Sequence, residues 1–119
     1  STRAEASGSE TVIVDPPIDC ERNQYVGIQV NELVAGDELI VTISLIGPTG
    51  LYSTYTAKGE KGPAVGSLVA NFKIGNIPCG DYNLIIDEAK LNNKIYSGRN
   101  SVYHIATHYV RLLDKADFK

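Results

Sequence analysis

Apolar and polar residues alternate along most of the chain from Gln24 onward, which is the pattern of β-strands that bury one face. The longest alternation begins at Leu39 and is rich in β-branched residues, which favours a strand over a helix. Residues 51–57, with two Tyr and two Thr, are typical of a further strand. The alternation predicts these buried positions: Val26, Ile28, Val30, Leu39, Val41, Ile43, Leu45, Leu68, Ala70, Phe72, Ile74, Tyr82, Leu84 and Ile86.

Turn-forming residues separate these stretches. Gly36-Asp37 precedes the strand at Leu39, Gly47-Pro48-Thr49-Gly50 follows it, and a Gly-rich loop covers residues 58–66. No confident helix lies between any two strands, so the spacing predicts antiparallel sheets rather than β-α-β units. Residues 89–100 are compatible with a hairpin or a long loop around Ile95. We therefore predict an all-β sandwich of about seven short strands.

The segment 101–113 fits two structures. Val102, Ile105, Tyr109 and Leu113 are among apolar residues at helical spacing, whereas the Val, Ile, Tyr and Thr content favours a strand. We predict a strand, because it completes a sheet. The sandwich then spans residues 20–113, and residues 114–119 form a polar C-terminal tail with one Phe.

Residues 1–19 are expected to be an extended N-terminal arm. Its small, polar start is followed by a β-prone patch, which is stopped by two prolines that fix an extended backbone. The patch can pair with an edge of its own domain or add a strand to a neighbouring molecule. We predict that the arm binds a partner through Thr11, Val12, Ile13, Val14, Pro16 and Pro17.

Composition narrows the function classes. The 119 residues are 43% hydrophobic and 21% charged, which is typical of a globular domain. A net charge of −3 without a basic cluster argues against nucleic-acid binding, and no apolar run suits membrane insertion. The start at Ser1 fits either a cytoplasmic product that lost its Met or a processed secreted protein.

The sequence offers few residues for catalysis. His104 and His108 are too far apart on a strand to share a metal ion, and the adjacent Asp87 and Glu88 are expected on opposite faces. We therefore predict no enzyme activity, no cofactor and no metal. Cys20 and Cys79 either form a disulfide, worth about 4 kcal/mol, or remain reduced thiols.

One corner carries a resemblance to a known fold family. Gly80, Asp81 and Tyr82 follow a Pro-containing turn and open an alternating strand. This resembles the tyrosine corner of immunoglobulin-like sandwiches, in which a Tyr hydroxyl bonds to nearby backbone. The chain lacks Trp and the inter-sheet cysteines of antibody domains, so the resemblance is to immunoglobulin-like modules of the bacterial and phage type, with a jelly roll as the alternative fold.

The resemblance implies a binding or structural role. We expect a non-catalytic accessory protein that attaches to a larger assembly, namely a capsid decoration protein on the virion surface. The expected partner is a protein, either the capsid shell or a neighbouring subunit, and a homo-oligomer is compatible with this. The alternative is a secreted cell-surface or pilus-type adhesion module, which a disulfide between Cys20 and Cys79 would favour.

Overall fold

The computed structural model describes the backbone of residues 3–7, 10–14, 23–78, 80–98, 101–103 and 108–119, and the side chains of 24–78, 80–98 and 109–119. Alternating apolar residues and intervening turns divide these segments into short strands. The strands are β1 Arg3–Ser7, β2 Glu10–Val14, β3 Asn23–Val30, β4 Leu39–Gly47, β5 Gly50–Lys58, β6 Glu60–Lys61, β7 Leu68–Asn76, β8 Tyr82–Leu91, β9 Lys94–Ile95, β10 Ser101–Tyr103 and β11 His108–Leu113.

The strands form two sheets. The order in the six-stranded sheet is β1-β2-β11-β3-β7-β6, and the order in the five-stranded sheet is β10-β8-β4-β5, with β9 paired to β8. Neighbours are antiparallel, except that β11 runs parallel to β3. The prediction of an all-β sandwich is therefore confirmed.

The hydrophobic core lies between the two sheets. Alternation holds because successive side chains of a strand point to opposite faces, so every second residue reaches the core. The predicted positions are buried apart from Leu68, which is partly buried against the core. Each large apolar side chain that is fully buried contributes about 1.5–3 kcal/mol to the free energy of unfolding.

The strands are divided between the sheets by their pairing. In the larger sheet β3 pairs with β7 and β11, and the other sheet holds β4, β5, β8 and β10. The pairing shows a sandwich of two sheets, and the immunoglobulin-like character of that sandwich stays a prediction.

The segment predicted as an arm contributes two strands to the larger sheet. Val14 pairs with Tyr109 of β11, and β1 pairs with the outer side of β2. The apolar patch thus pairs with an edge of its own domain, which is one of the two possibilities left open by the sequence. Pro16 and Pro17 lie outside the described residues, and partner binding by this segment stays a prediction.

The C-terminal residues are part of the folded domain. The strand alternative is confirmed at Ser101–Tyr103 and His108–Leu113. Asp114 then caps a 3-10 helix by accepting a hydrogen bond from the Ala116 amide at 2.9 Å. Phe118 is only 5% exposed, and its ring centroid lies 5.3 Å from that of Tyr96. The predicted polar tail is thus docked, because its single aromatic residue fills a core position.

Candidate functional site

Within the residues that the structure describes, the strands at the sheet edges differ in length and charge. β6 has two residues, both charged, β10 has three, and β1 has five, including Arg3 and Glu5. β5 has nine residues, a bulge at Tyr52 and no charged side chain before Lys58. Short or charged edges resist pairing with other chains, and a long uncharged edge invites it. Among the described strands, β5 is therefore the edge best suited to bind another strand.

The side chains of β5 are accessible along its whole length. Leu51 is 66% exposed and Tyr52 is 43% exposed. Tyr55 and Ala57 are partly buried and pack against the core, while Thr54 and Thr56 are exposed. Among the described strands, β5 pairs with β4 alone, so its second row of backbone groups faces outward.

A groove of about 420 Å³ opens at the start of β5. Its lining residues are Gly47, Pro48, Thr49, Gly50, Leu51, Tyr52, Pro78 and Tyr82. The rings of Tyr52 and Tyr82 are nearly perpendicular, with centroids 5.7 Å apart, which is a favourable edge-to-face contact. A tyrosine offers an apolar ring and a polar tip, so this groove suits a protein ligand.

Tyr82 fixes the shape of the groove. Its hydroxyl donates to the Pro78 carbonyl at 2.9 Å, the return contact to nearby backbone that the tyrosine-corner resemblance implies. Burial raises the pKa of Tyr82, which disfavours loss of the proton that the hydroxyl donates. A Cβ on Gly47 would lie 3.2 Å from Tyr82 Cε2, so only a glycine fits here without displacing the ring.

Hydroxyl pairs attach β5 to β4 on the outer face of the sheet. Thr42 bonds Thr56 and Ser44 bonds Thr54, each at 2.9 Å between the oxygens. The Ser44 hydroxyl also donates to the Asp87 carboxylate in a short contact. These bonds hold the edge strand in register, so its outward row of backbone groups is preorganised.

Asp87 and Glu88 share this outer face, contrary to the prediction that they point to opposite faces. Glu88 pairs with Thr42, and Ile86 pairs with the next residue of β4, so Asp87 is the extra residue of a β-bulge. The bulge turns the Asp87 carboxylate toward Ser44. Glu88 forms an ion pair with Lys90 at 3.7 Å.

Hydrogen bonds tie together two loops at the opposite end of the sandwich. The Leu33 amide donates to the Gly66 carbonyl at 2.8 Å. Asp37 accepts from the Val34 amide at 2.9 Å and from the Asn92 side chain at 2.8 Å, and both bonds lower the pKa of Asp37. The loops border a second groove of about 450 Å³. Acidic and basic residues lie together beside this groove, so its charge favours no single class of ligand.

The predicted site residues fall into three groups. Thr11, Val12, Ile13 and Val14 lie in β2, and Gly80, Asp81 and Tyr82 form the corner beside the tyrosine groove. Pro16, Pro17, Cys20 and Cys79 lie outside the described residues. The β5 edge was missed as a site, because a strand pattern does not reveal which strand will lie at the end of a sheet.

Within the part of the chain that the structure describes, no three His, Cys, Asp or Glu side chains gather as metal ligands would. Across the same residues, no helix has the length and apolar content of a membrane span. The absence of enzyme activity stays a prediction. What the described site offers is backbone hydrogen bonding along β5 and an aromatic groove at its start.

No protein-family model matches the chain. A comparison with curated proteins likewise gives no match. No solved structure matches it either.

Proposed function

We propose that this protein is a non-catalytic accessory component of a larger protein assembly, and that a strand from a neighbouring subunit adds to its β5 edge. The observation that carries the proposal is the nine-residue edge with no charge before Lys58. An unguarded edge of this length promotes aggregation if it stays open. It is compatible with a soluble protein when a partner covers it in the working state.

Strand addition suits the chemistry of this edge. Each backbone hydrogen bond to an added strand contributes about 0.5–1.5 kcal/mol net, and several such bonds form along one strand. Main-chain bonds provide affinity but little specificity, which side-chain pockets supply. The groove with Tyr52 and Tyr82 lies where the added strand would leave the edge, so it can select an apolar or aromatic side chain.

The assembly that we favour is a virion shell, decorated from outside by this protein. Support comes from the mild net charge of −3, the scarcity of reactive residues and the sandwich fold, which many phage surface modules share by fold-level analogy. Strand addition also joins pilus-type adhesion modules. A secreted adhesion module is therefore the second candidate, and the nature of the assembly recovered in the experiment separates the two.

The test compares two lysine substitutions on the same sheet face. Thr54→Lys places a charge on the β5 edge, whereas Thr42→Lys places it on β4, which has neighbours on both sides. Each substitution also removes one hydroxyl–hydroxyl bond of 2.9 Å, so the two are matched for lost contacts. Tagged wild type and variants are produced in the source culture, and large assemblies are isolated by sedimentation.

We expect wild type and Thr42→Lys to sediment with the assembly and Thr54→Lys to remain in the supernatant. Electron microscopy of the pellet then identifies virions or surface fibres. Full retention of Thr54→Lys in the pellet would show that the β5 edge is not the attachment site. Wild-type protein found only in the supernatant would contradict the accessory role itself.

A further inference from the structure

The pairing of β3 with β7 has a register that points to the two cysteines. The last pair of this antiparallel ladder joins Asn23 to Asn76. In such a ladder each step back along one strand is matched by one step forward along the other. Three further steps from the last pair lead to Cys20 and to Cys79. Both cysteines lie outside the described residues, and the register of the neighbouring pairs is what relates them.

The bulge in this ladder does not lie between the last pair and the cysteines. The register shifts between Gln24 and Tyr25. Gly75, which pairs with Gln24, has a φ of 85°, a conformation that glycine adopts readily. Beyond the shift, the Gln24–Gly75 and Asn23–Asn76 pairs share one register. It is therefore this register, and not that of the strand centres, that continues toward the cysteines.

Burial keeps its alternation beyond the end of β7. Asn76 is exposed, Ile77 is only 3% exposed, and Pro78 is exposed. Since successive side chains of an extended chain point to opposite faces, the next inward position is that of Cys79. On β3, Gln24 is buried, and the same period of two makes the position of the first cysteine an inward one. Both thiols are thus expected on one face of the ladder.

The spacing of an antiparallel ladder suits a disulfide. Residues directly opposite each other have Cα atoms about 4.5–5.5 Å apart. A disulfide joins Cα atoms that are about 4.4–6.8 Å apart. A shift of one residue would turn one of the two thiols to the other face, so the register decides whether the bond can form.

The tyrosine corner anchors the chain one residue before Cys79. The Tyr82 hydroxyl donates to the Pro78 carbonyl at 2.9 Å, and Tyr82 itself is buried in the core. Holding one reacting group in place favours a reaction within the chain over a reaction between chains. This anchor therefore favours a bond to a cysteine of the same molecule.

We propose that Cys20 and Cys79 form an intramolecular disulfide that closes the β3–β7 ladder beside the tyrosine groove. Each thiol loses its proton, and the sulfur–sulfur bond forms as two electrons pass to a small-molecule disulfide such as oxidised glutathione, which leaves as two thiols. Disulfides persist in secreted proteins and on virion surfaces, so the bond is compatible with both candidate assemblies. It does not depend on strand addition at β5.

The test follows the thiols of the purified full chain. The chain is reduced, equilibrated in a glutathione redox buffer and treated with an alkylating reagent. We expect a mass lower than that of the reduced chain by two hydrogen atoms, no alkyl group, and one proteolytic peptide pair that joins Cys20 to Cys79. The bond closes a loop of about 60 residues. Its reduction should lower the ratio of folded to unfolded chain about 1,000-fold, measured by urea denaturation, whereas Cys79→Ser should be insensitive to reductant.

A shifted cysteine tests the register itself. Cys20→Ser combined with Glu21→Cys moves the thiol by one position, where it faces Pro78 and points to the other side of the ladder. This variant should give an oxidised fraction at least tenfold smaller than wild type in the same buffer. Circular dichroism checks that it folds like Cys20→Ser alone, so a missing bond reflects the position of the thiol.

Three results would overturn the inference. These are a wild type whose two thiols are both alkylated after equilibration, a bond that joins two chains, and a shifted variant that is oxidised as fully as wild type. None of them touches the proposed function, because sedimentation of the Thr54→Lys variant tests the β5 edge separately. Loss of that edge interaction, in turn, would leave the disulfide standing.

Discussion

The edge strands β5 and β6 follow each other in the chain, yet they differ in how readily they can pair with another strand. β6 is two residues long and both are charged, whereas β5 is nine residues long and uncharged before Lys58. β6 therefore offers a second molecule little to pair with, while β5 offers a longer row of backbone groups, which a bulge at Tyr52 interrupts. The two strands show that protection against pairing can differ from one edge strand to the next. A single edge that stays open, where the others are short or charged, suggests that a partner binds there.

Gly59 separates the two edges. The chain leaves the five-stranded sheet at Lys58 and enters the six-stranded sheet at Glu60. The Gly59 amide donates to the Leu39 carbonyl at 2.7 Å. A Cβ at this position would lie 2.9 Å from Leu39 Cβ, closer than two such atoms can approach. The crossing from one edge to the other thus depends on a residue without a side chain.

The largest effect on stability is expected from Gly59→Ala. The added methyl group must displace Leu39 or the crossing itself, and overpacking of this kind costs about 1–3 kcal/mol. Urea denaturation followed by circular dichroism measures the loss. Gly27→Ala is the matched control, since its nearest neighbour, Val69 Cγ1, would lie at an ordinary 3.4 Å. Equal stability of the two variants would contradict a tight crossing at Gly59.

Ser44→Ala tests how β5 is held in place. Ser44 is 7% exposed, and its hydroxyl contacts both Thr54 of the edge and the Asp87 carboxylate. Asp87 is exposed, so water can replace the lost donor and the substitution should cost about 0.5–1.5 kcal/mol. The loss should also quicken amide exchange in β5. Thr42→Val breaks only a neutral, exposed hydroxyl pair, so it should cost less than about 1 kcal/mol. Unchanged β5 exchange in Ser44→Ala would show that the hydroxyl pairs do not order the edge.

The smallest expected change is in the pH dependence of stability, and it comes from the loops beside β6. The backbone bond from Val34, and then the Asn92 bond, lower the pKa of Asp37 below its ordinary value of 3.8. A lowered folded-state pKa contributes stability that is present above the unfolded value and lost as pH falls through the folded value. Between pH 5 and pH 3, wild type should therefore lose stability more steeply than Asp37→Asn. Denaturant midpoints over this range measure the slope, with Glu60→Gln as the exposed control; identical slopes would rule out a contribution from Asp37.

The buried positions of the strands could be predicted from the sequence, because burial of one sheet face imposes a period of two residues. This rule located the cores of β3, β4, β7 and β8, and the Tyr and Thr content located β5. The ambiguous end of the chain was correctly predicted as strand, since β-branched and aromatic residues outweighed the helical spacing. The corner at Tyr82 was also visible, because a Tyr after a Pro-containing turn has a specific hydrogen-bonding use.

Other features depend on contacts between distant residues. The bulge at Asp87 arises from the register with β4, and it reverses the expected face of one carboxylate. Phe118 is buried in the core, where its ring contacts that of Tyr96, a residue far away in sequence. The order of the strands in the sheet decides that β5 lies at an open edge, and the alternation of apolar and polar residues does not determine that order. For the same reason the sequence pattern could not divide the strands between the sheets.

The position of β11 has a consequence for biosynthesis. This strand lies between β2 and β3, so the ribosome makes the two outer neighbours long before the strand that joins them. β5 and β8 can pair as soon as they emerge, since their shared partner β4 is already synthesised. In the larger sheet β3 and β7 can also pair earlier, and only the connection from β2 to β3 has to wait for β11. In nascent chains the hairpin of β1 and β2 should therefore become protease-resistant only after β11 has been made, because until then the two strands have only each other to pair with.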